Sequence, residues 1–542
     1  MSRWVKWLLG VVAALVVLVA AAAAALPYLV DTPRIQAYIA ASATQTLGRP
    51  VKFSAVTLRV LPLPAVELHD LEVAEDPKFG TAPFLKLDVG RVRLRLLPLL
   101  TGRVELGDIV LRRPAVTIIQ ASDGRLNISS LGATTEPRPA PPRPGRSTGG
   151  PAAASTVAVA RVLVDGGTVT YVARAKGEGV SQYRLSDANV TLTGGGTQIT
   201  FKGDTRLQPG DVRLTLSDGV VALTGGKSLT EASMRGKVAI DGKDVGPLAA
   251  AAIGPSPALG GGVKGTLALG GTVAAPTAAG EITLTDLTST QTNPRCPEPK
   301  RRTLTVSTVK MNAAWQDQRL AGKPVTASLA GGTVTTQLTV ALDRGVHVQL
   351  ADLVIKALPL EKVLVDYLCQ GYAITGPLEL TGGLTFDAHD LLNTLSGPGQ
   401  LRVGSGKVVG AQALALFASV VRVGGAVSSI LSADVPSRVF DSPLEFESIT
   451  GTYTLTNGVA TTRDLLYTSR SMKVAIAGEY ALPSGRMNLD MTVNHGRGEL
   501  KAKVSGTAAS PNISVSPASI LKDVDPQKAQ KGIQDLLKRF GK

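Results

Sequence analysis

The stretch LGRPVKFSAVTLRVLPLPAVEL, from Leu47 to Leu68, decides the fold class. Just upstream, TPRIQAYIAASATQTLG predicts an amphipathic helix, with Ile35, Tyr38, Ile39 and Leu47 near one face and Gly48 placed to stop it. Arg49–Pro50 then forces an extended backbone. Val51/Phe53 and Val56/Leu58/Val60 alternate with polar neighbours, the period of a strand with one apolar face. Leu85/Leu87/Val89 and Val92/Leu94/Leu96 continue the pattern, and Val104/Leu106, Ile109/Leu111 and Val116/Ile118 carry it to Gln120. The alternation changes phase at Ala55–Val56 and at Gly90–Arg91, which predicts a bulge or turn at each. Val56, Leu58, Val60, Leu85, Leu87, Val89, Val92, Leu94 and Leu96 are the candidate lining of an apolar face.

The helix is preceded by MSRWVKWLLGVVAALVVLVAAAAAALPYLV, which has Arg3 and Lys6 and then no charge from Trp7 to Val30. A bilayer core of about 30 Å needs roughly 20 apolar residues at about 1.5 Å each. Trp7, Leu8, Leu9, Val11, Val12, Leu15, Val16, Leu18, Val19 and Leu26 are the expected membrane-anchor residues, with Trp4 and Tyr28 nearer the interfaces. The basic N-terminus should stay cytoplasmic, placing the chain after Asp31 on the far side. Ala20–Ala25 offers small residues for a signal peptidase, but the apolar run is longer than a usual signal core and Leu26–Pro27–Tyr28 prolongs it. An uncleaved anchor is expected.

Composition agrees with many short strands. The chain has 542 residues, 58 glycines and only 4% aromatic residues, so turns and β-branched strands outweigh a thick aromatic core. A formal net charge of +15 favours anionic partners, and on the far side of a membrane an anionic lipid surface suits it better than nucleic acid.

The organisation expected is an anchor over 1–30, an N-terminal β module over 31–134, a linker over 135–156 and a β-region over 157–356. A mixed helical segment over 357–435, a second β region over 436–516 and an amphipathic helix over 517–542 follow. The linker contains EPRPAPPRPGRSTGGPAAAS, Glu136–Ser155, a Pro/Gly/Ser spacer. Val157 to about Ile355 is nearly all alternating strand and Gly turn, as in GGTVTTQLTVALDRGVHVQL, and reads as consecutive antiparallel strands. LPLEKVLVDYL and AQALALFASVVRVGGAVSSIL, from Ala411, read as helices. In the last helix Ile533, Leu536, Leu537 and Phe540 line one face, with Lys531, Lys538 and Arg539 off it.

No motif carries catalysis. GGGVKG at Gly260–Gly265 satisfies a dinucleotide-binding pattern but is followed by a strand rather than a helix. GRSTG at Gly145–Gly149 sits in the Pro-rich linker, not at a strand-to-helix elbow. His69, His347, His389 and His495 are single and lack metal-ligand spacing. The expectation is no enzyme, no cofactor and no metal. Cys296 and Cys369 are the only cysteines, either one bridge or two buried thiols.

Three stretches resemble the AsmA family of membrane-anchored envelope proteins. The first is the anchor, helix and LGRPVKFSAVTLRVLPLPAVELHDLEV; the second is LLPLLTGRVELGDIVLRRPAVTIIQASDGRLNISSL, with its Pro98–Leu99–Leu100, Arg113–Pro114 and Asp123–Gly124–Arg125–Leu126–Asn127. The third is LEFESITGTYTLTNGVATTRDLLYTS followed by GTAASPNISV. The resemblance implies a single-pass inner-membrane anchor and a periplasmic body in a bacterium with two membranes. It also implies a mainly β fold: a long, twisted, antiparallel sheet forming an open groove of repeating type with a few capping helices, its N-terminal part similar to chorein-type lipid-transfer proteins. Phospholipid movement to the outer membrane is the implied role, with phospholipids, the inner membrane and outer-membrane or periplasmic proteins as partners. The other reading is a non-enzymatic scaffold for outer-membrane protein or lipopolysaccharide biogenesis.

The physics admits both. A one-faced apolar sheet must be covered, either by a second sheet or by a ligand. About 25 strands at ~4.8 Å spacing would give a sheet near 120 Å if unbroken. At about 0.8 kcal/mol per CH₂, a two-chain lipid with some thirty methylenes costs on the order of 20 kcal/mol to expose to water. A shielded groove removes most of that barrier with no catalytic group.

Overall fold

A computed structural model describes residues 32–59, 65–94, 106–121, 123–131, 161–174, 180–195, 197–222, 231–294, 296–342, 345–370, 373–409, 445–470, 472–495, 498–508 and 510–515. The anchor residues, Val60, Leu96, the 135–156 linker, the Ala411 stretch and the helix with Ile533, Leu536, Leu537 and Phe540 lie outside them. So do the side chains of Ile35, Tyr38, Leu58 and Leu94.

The described chain is mainly strand. In order it forms β1 Val51–Lys52, β2 Ala55–Arg59, β3 Ala65–Val73, β4 Leu85–Leu94, β5 Leu106–Arg112, β6 Ala115–Gln120, β7 Arg161–Arg174, β8 Val180–Gly195, β9 Gln198–Gln208, β10 Val212–Ala222 and β11 Ser233–Gly242. There follow β12 Ala258–Gly271, β13 Pro276–Thr292, β14 Arg301–Gln316, β15 Arg319–Leu329, β16 Gly332–Ala341, β17 His347–Pro359, β18 Pro377–Asp387 and β19 Gly397–Val403. The rest are β20 Gly406–Lys407, β21 Glu445–Phe446, β22 Ser448–Thr456, β23 Val459–Thr468, β24 Met472–Ala481, β25 Arg486–His495, β26 Gly498–Thr507 and β27 Ser510–Val515. Helix α1 is Thr32–Leu47 and α2 is Gly246–Ile253; three shorter helical turns are Asn127–Ser130, Glu361–Tyr367 and Leu391–Thr394. Two compact units emerge: Met1–Gly242 with Thr266–Ala278, and Lys243–Gly265 with Ala279–Lys542.

In the first unit, α1 ends where Gly48 adopts φ +69°, a left-handed value that only glycine takes cheaply. Strands β2, β3 and β4 then pair in antiparallel register. Here the structure corrects one expectation. β4 runs unbroken through Gly90–Arg91, opposite Leu68 and Glu67, so no turn lies there. Asp70 in β3 takes φ +49°, and the register is the same at the His69–Val89 and Leu71–Leu87 pairs on its two sides.

The sheet is mixed rather than wholly antiparallel. β5 and β6, separated by Arg113–Pro114, both pair parallel to β7. The physical reason is the length of the connection. Hairpin turns of a few residues enforce antiparallel neighbours, whereas the chain from Ala121 to Ala160 is long enough to return to the start of the preceding strand. From β7 to β11 every neighbour is antiparallel.

In the second unit, α2 interrupts what the sequence presents as continuous strand; GPLAAAAI has no polar face to give a helical period. β14 to β19 and then β22 to β27 form one run of antiparallel neighbours, with β20–β21 a separate short pair.

A recurring device keeps one face apolar along strands too long for simple alternation. Asp187 in β8, Asp218 in β10, Asp286 in β13 and Asp352 in β17 all have φ near +50°, as does Asp70. Aspartate tolerates this conformation better than most residues. Register shifts fall at Ser186/Asn189, Leu216/Gly219 and Leu350/Leu353, so three of these aspartates are the extra residue of a bulge. Across each, the spacing of inward residues changes from two to three. In β17 the series is Val348, Leu350, Leu353, Ile355 and Leu358, with a second left-handed residue at Ala357 before the last step. Neighbouring backbone approaches closely at these places: a Cβ on Gly203 would collide with the Asn189 carbonyl, and one on Gly332 would lie 2.6 Å from Leu358 Cα.

Candidate functional site: an apolar face read through the register

Hydrogen-bonded register turns the alternation into rows. In the first unit one row passes through Val56, Leu68, Gly90, Leu111, Val164, Val190, Gly203, Leu216 and Val238, nine strands in succession. A second passes through Leu58, Val66, Val92, Ile109, Val162, Leu192 and Phe201 to Gly219. Thus Val56 and Leu58, chosen from sequence, begin long apolar rows, and Val92 lies within the second. Leu85 and Leu87 pair with Val73 and Leu71 in the neighbouring stretch, whereas Val89 lies between His69 and Arg112, out of the rows. Leu94 pairs with Leu106.

In the second unit, Leu358, Leu378, Val403, Ile449, Tyr467, Val474, Val493 and Leu500 form a row across eight strands. Nearer the opposite strand ends, Trp315, Leu320, Val340, Val348 and Phe386 form another.

Most of these side chains are only half-buried. In β14, Leu304, Val306, Met311 and Trp315 are intermediate while Thr303, Thr305, Lys310 and Gln316 are exposed, so the face is sheltered by its neighbours but not sealed. Among the described residues, the substantial contacts of each strand are with the strands it is hydrogen-bonded to and with helices; no second sheet packs on either ladder. A sandwich would bury such a face.

Two places are sealed. In the first unit Val51, Val73 and Phe84 are buried under Ala43 and Leu47 of α1 and Ile128 and Leu131 beside the Asn127–Ser130 turn. Ile39 is half-buried. A polar node locks this end. Arg49, 3% exposed, donates from Nη1 to Glu75 Oε1 at 3.0 Å and from Nη2 to Ser130 Oγ at 2.8 Å, and its guanidinium lies 4.9 Å from the Phe84 ring centre. Asn127, fully buried, donates from Nδ2 to Glu75 Oε2 at 2.6 Å and accepts the Ile119 N–H at 3.0 Å. The node joins the helix end, β6 and the DGRLN loop. In the second unit Leu360, Val403, Phe446, Tyr467, Val474 and Val493 form a buried cluster with Leu364, Leu378 and Leu401 packed against it.

The opposite face is charged. Glu67, nearly buried, receives Arg91 Nε at 2.6 Å and Arg59 Nε at 3.1 Å across β2, β3 and β4. The Thr452 N–H and hydroxyl, both donating to Asp464, hold its carboxyl below the usual carboxylate value. Burial pushes the Tyr467 phenol up. Among the described residues no group of His, Cys, Asp and Glu could hold a metal. His347 Nδ1 contacts Asp387 at an exposed strand end, and Cys296 is joined to Cys369 by a disulfide.

Sequence reasoning missed the node and the left-handed aspartates. Arg49 was read only for its effect with Pro50 on the backbone, and Asn127 only as part of a loop. The aspartates do leave a signal: the apolar spacing of two, then three, across SD, TD or AD.

The AsmA family model matches residues 1–257, the part that contains the expected anchor sequence, the Arg49 node and the long rows of the first unit. Residues 1–257 thus belong to the AsmA family. Neither a curated protein nor a solved structure matches it. The C-terminal stretches that also resemble the family, from Leu444 and from Gly506, lie outside the matched residues. Family membership and the large sheet together fit a function in the cell envelope. No helix among the described residues is long and apolar enough to cross a membrane, and residues 1–31 are not among them.

Proposed function

We propose that this protein binds phospholipid acyl chains along the apolar face of its sheet, and that it supports lipid transport to, and homeostasis of, the outer membrane. The observation that carries the reading is the continuity of apolar rows across eight and nine strands of the first unit, most of whose side chains stay half-buried with no second sheet over them among the described residues. Burial of acyl chains would remove that apolar surface from water at about 25 cal/mol per Å². No catalytic group is required, since shielding alone lowers the barrier to moving a lipid through water. The anchor sequence of residues 1–30 would hold the chain in the inner membrane with its N-terminus cytoplasmic and its body in the periplasm. The Cys296–Cys369 disulfide suits an oxidising compartment.

The test uses the tryptophans. The chain has three, Trp4 and Trp7 in the anchor sequence and Trp315 at one end of an apolar row in the second unit. In full-length Trp4→Phe/Trp7→Phe protein, phospholipid brominated in mid-chain should quench Trp315 fluorescence, and head-group-only analogues should not. Equal fluorescence with brominated and unbrominated lipid would sink the reading and leave a scaffold.

A further inference from the structure

Between β17 and β18 the chain does not make a simple hairpin. It leaves β17 at Pro359, forms the turn Glu361–Tyr367 and reaches back to the loop between β13 and β14. From β17 to β14 is three strand spacings, about 14 Å. Four links hold the far end there. Tyr367 and Ser289 hydroxyls meet at 2.7 Å, Gln291 Nε2 donates to the Tyr367 carbonyl at 3.2 Å, Asn293 Nδ2 donates to the Leu368 carbonyl at 3.0 Å, and Cys369 is bonded to Cys296.

The strap lies on the apolar face. Leu360 is 8% exposed and packs in the cluster with Val403, Tyr467 and Val474, and Leu364 packs against it. Its other side is polar: Lys362 and Asp366 form an exposed ion pair at 3.0 Å. The strap's own leucines therefore occupy the kind of surface that is left open in the row Trp315–Leu320–Val340–Val348–Phe386. The two surfaces are continuous on β17 and β18, where Ile355 and Leu380 lie between Val348 and Phe386 at one end and Leu358 and Leu378 at the other.

We propose that the face beneath Leu360–Cys369 is a second acyl-chain site, held shut by the Cys296–Cys369 disulfide and opened by thiol exchange with a dithiol. It rests on the acyl-chain reading above. The occupant must be largely apolar, because what replaces two leucine side chains against Val403 and Leu401 meets aliphatic and aromatic carbon, and the one hydroxyl of that cluster, on Tyr467, already donates to the Glu445 carbonyl. In the exchange, one thiolate of the dithiol attacks a sulfur of the bridge, the Cys296–Cys369 bond breaks and a mixed disulfide forms. The second thiolate displaces the protein sulfur. The protein gains two electrons and two protons as two thiols, and the dithiol is oxidised to its disulfide. With the covalent link gone, three hydrogen bonds hold the strap, and an acyl chain competes with Leu360 and Leu364 for the same surface.

The experiment uses full-length Trp4→Phe/Trp7→Phe protein in nanodiscs of brominated phosphatidylglycerol. Trp315 reports the open face. A Phe446→Trp reporter, at a position 3% exposed in the cluster with Leu360, reports the covered one in an added Trp315→Phe background. With the disulfide intact, Trp315 is quenched and the Phe446→Trp reporter is not. After dithiothreitol, or in Cys296→Ser/Cys369→Ser protein, quenching of the second reporter rises several-fold. A second reporter unquenched with the bridge broken, or equally quenched with it intact, overturns the proposal while Trp315 still upholds the acyl-chain reading. Quenching at neither position in any state overturns both. Hydrogen exchange needs no new tryptophan: in reduced protein with lipid, amides of residues 360–370 should exchange several-fold faster than in oxidised protein, and unchanged exchange there also overturns the strap.

Discussion

At the residue scale, the Arg49 node shows how one buried charge sets a boundary. A guanidinium out of water is tolerable only with most of its hydrogen bonds made: Arg49 Nη1 and Nη2 find Glu75, the Asn127 carbonyl and Ser130, the ring of Phe84 lies beneath it, and Nε alone is buried without a partner among the described residues. Replacing Arg49 by Ala strands the Glu75 carboxylate in the interior and should destabilise the first unit by about 3–5 kcal/mol. The paired change Arg49→Met with Glu75→Gln should be less harmful, because no charge is then left alone. Urea denaturation followed by circular dichroism ranks the two; a double variant worse than Arg49→Ala would contradict the account. Asp464 gives a pH prediction. Its folded carboxyl is held low by the Thr452 N–H and hydroxyl, so its contribution is complete above the ordinary carboxylate value, about 3.9, and is lost as pH falls through the lower folded value. Asp464→Asn should therefore flatten the fall of stability below about pH 4, measured as a difference from the parent.

At the element scale, long strands pose a problem that the left-handed aspartates solve. A strict period of two would have carried the phase of Val348 and Leu350 past Leu353 and put Leu353 and Ile355 on the polar face; Asp352 restores them. Asp286→Gly should leave stability within about 1 kcal/mol, since glycine takes positive φ freely, whereas Asp286→Val adds about 1–2 kcal/mol of backbone strain. Thermal denaturation of the two variants separates them, and equal loss would mean that the carboxylate rather than the backbone matters. This is also where legibility from sequence ended. Strands with simple alternation, such as β2, were readable, and so was α1 with its Gly48 stop. A turn was expected at Gly90–Arg91 because the apolar phase does change there, but it changes in both strands together, from Leu68 to Leu71 and from Leu87 to Gly90, so the register is kept and no turn is needed. The parallel β5–β7 and β6–β7 pairing was hidden for a related reason: a Pro/Gly/Ser linker shows that a connection is long, not where it returns. Asn127 was invisible as a buried residue because its burial depends on Glu75 and Thr117, 52 and 10 residues away.

At the scale of the whole molecule, alternation says that one face is apolar but is silent on whether anything covers it. Side-chain exposure distinguishes open positions from covered ones, and the two kinds respond oppositely to a charge. Val403 is 2% exposed, beneath the Leu360 strap, and a carboxylate there has no water and no partner. Val403→Asp should cost about 4 kcal/mol or more, or abolish folding of the second unit. Leu350 lies in the row Leu338–Leu350–Leu384 and is half-buried, so a carboxylate there can stay hydrated. Leu350→Asp should cost roughly 1–2 kcal/mol through lost aliphatic contact, yet strongly reduce bromolipid quenching of Trp315. If a second layer sealed this face in solution, both substitutions would unfold the protein alike, and a comparison of their urea midpoints would show it. If the face were open but bound no lipid, Leu350→Asp would leave the fluorescence response to brominated lipid as flat as that of its parent. A small loss of stability with a large loss of quenching, at Leu350 and not at exposed Lys356, is the combination that only an open, lipid-bearing face produces.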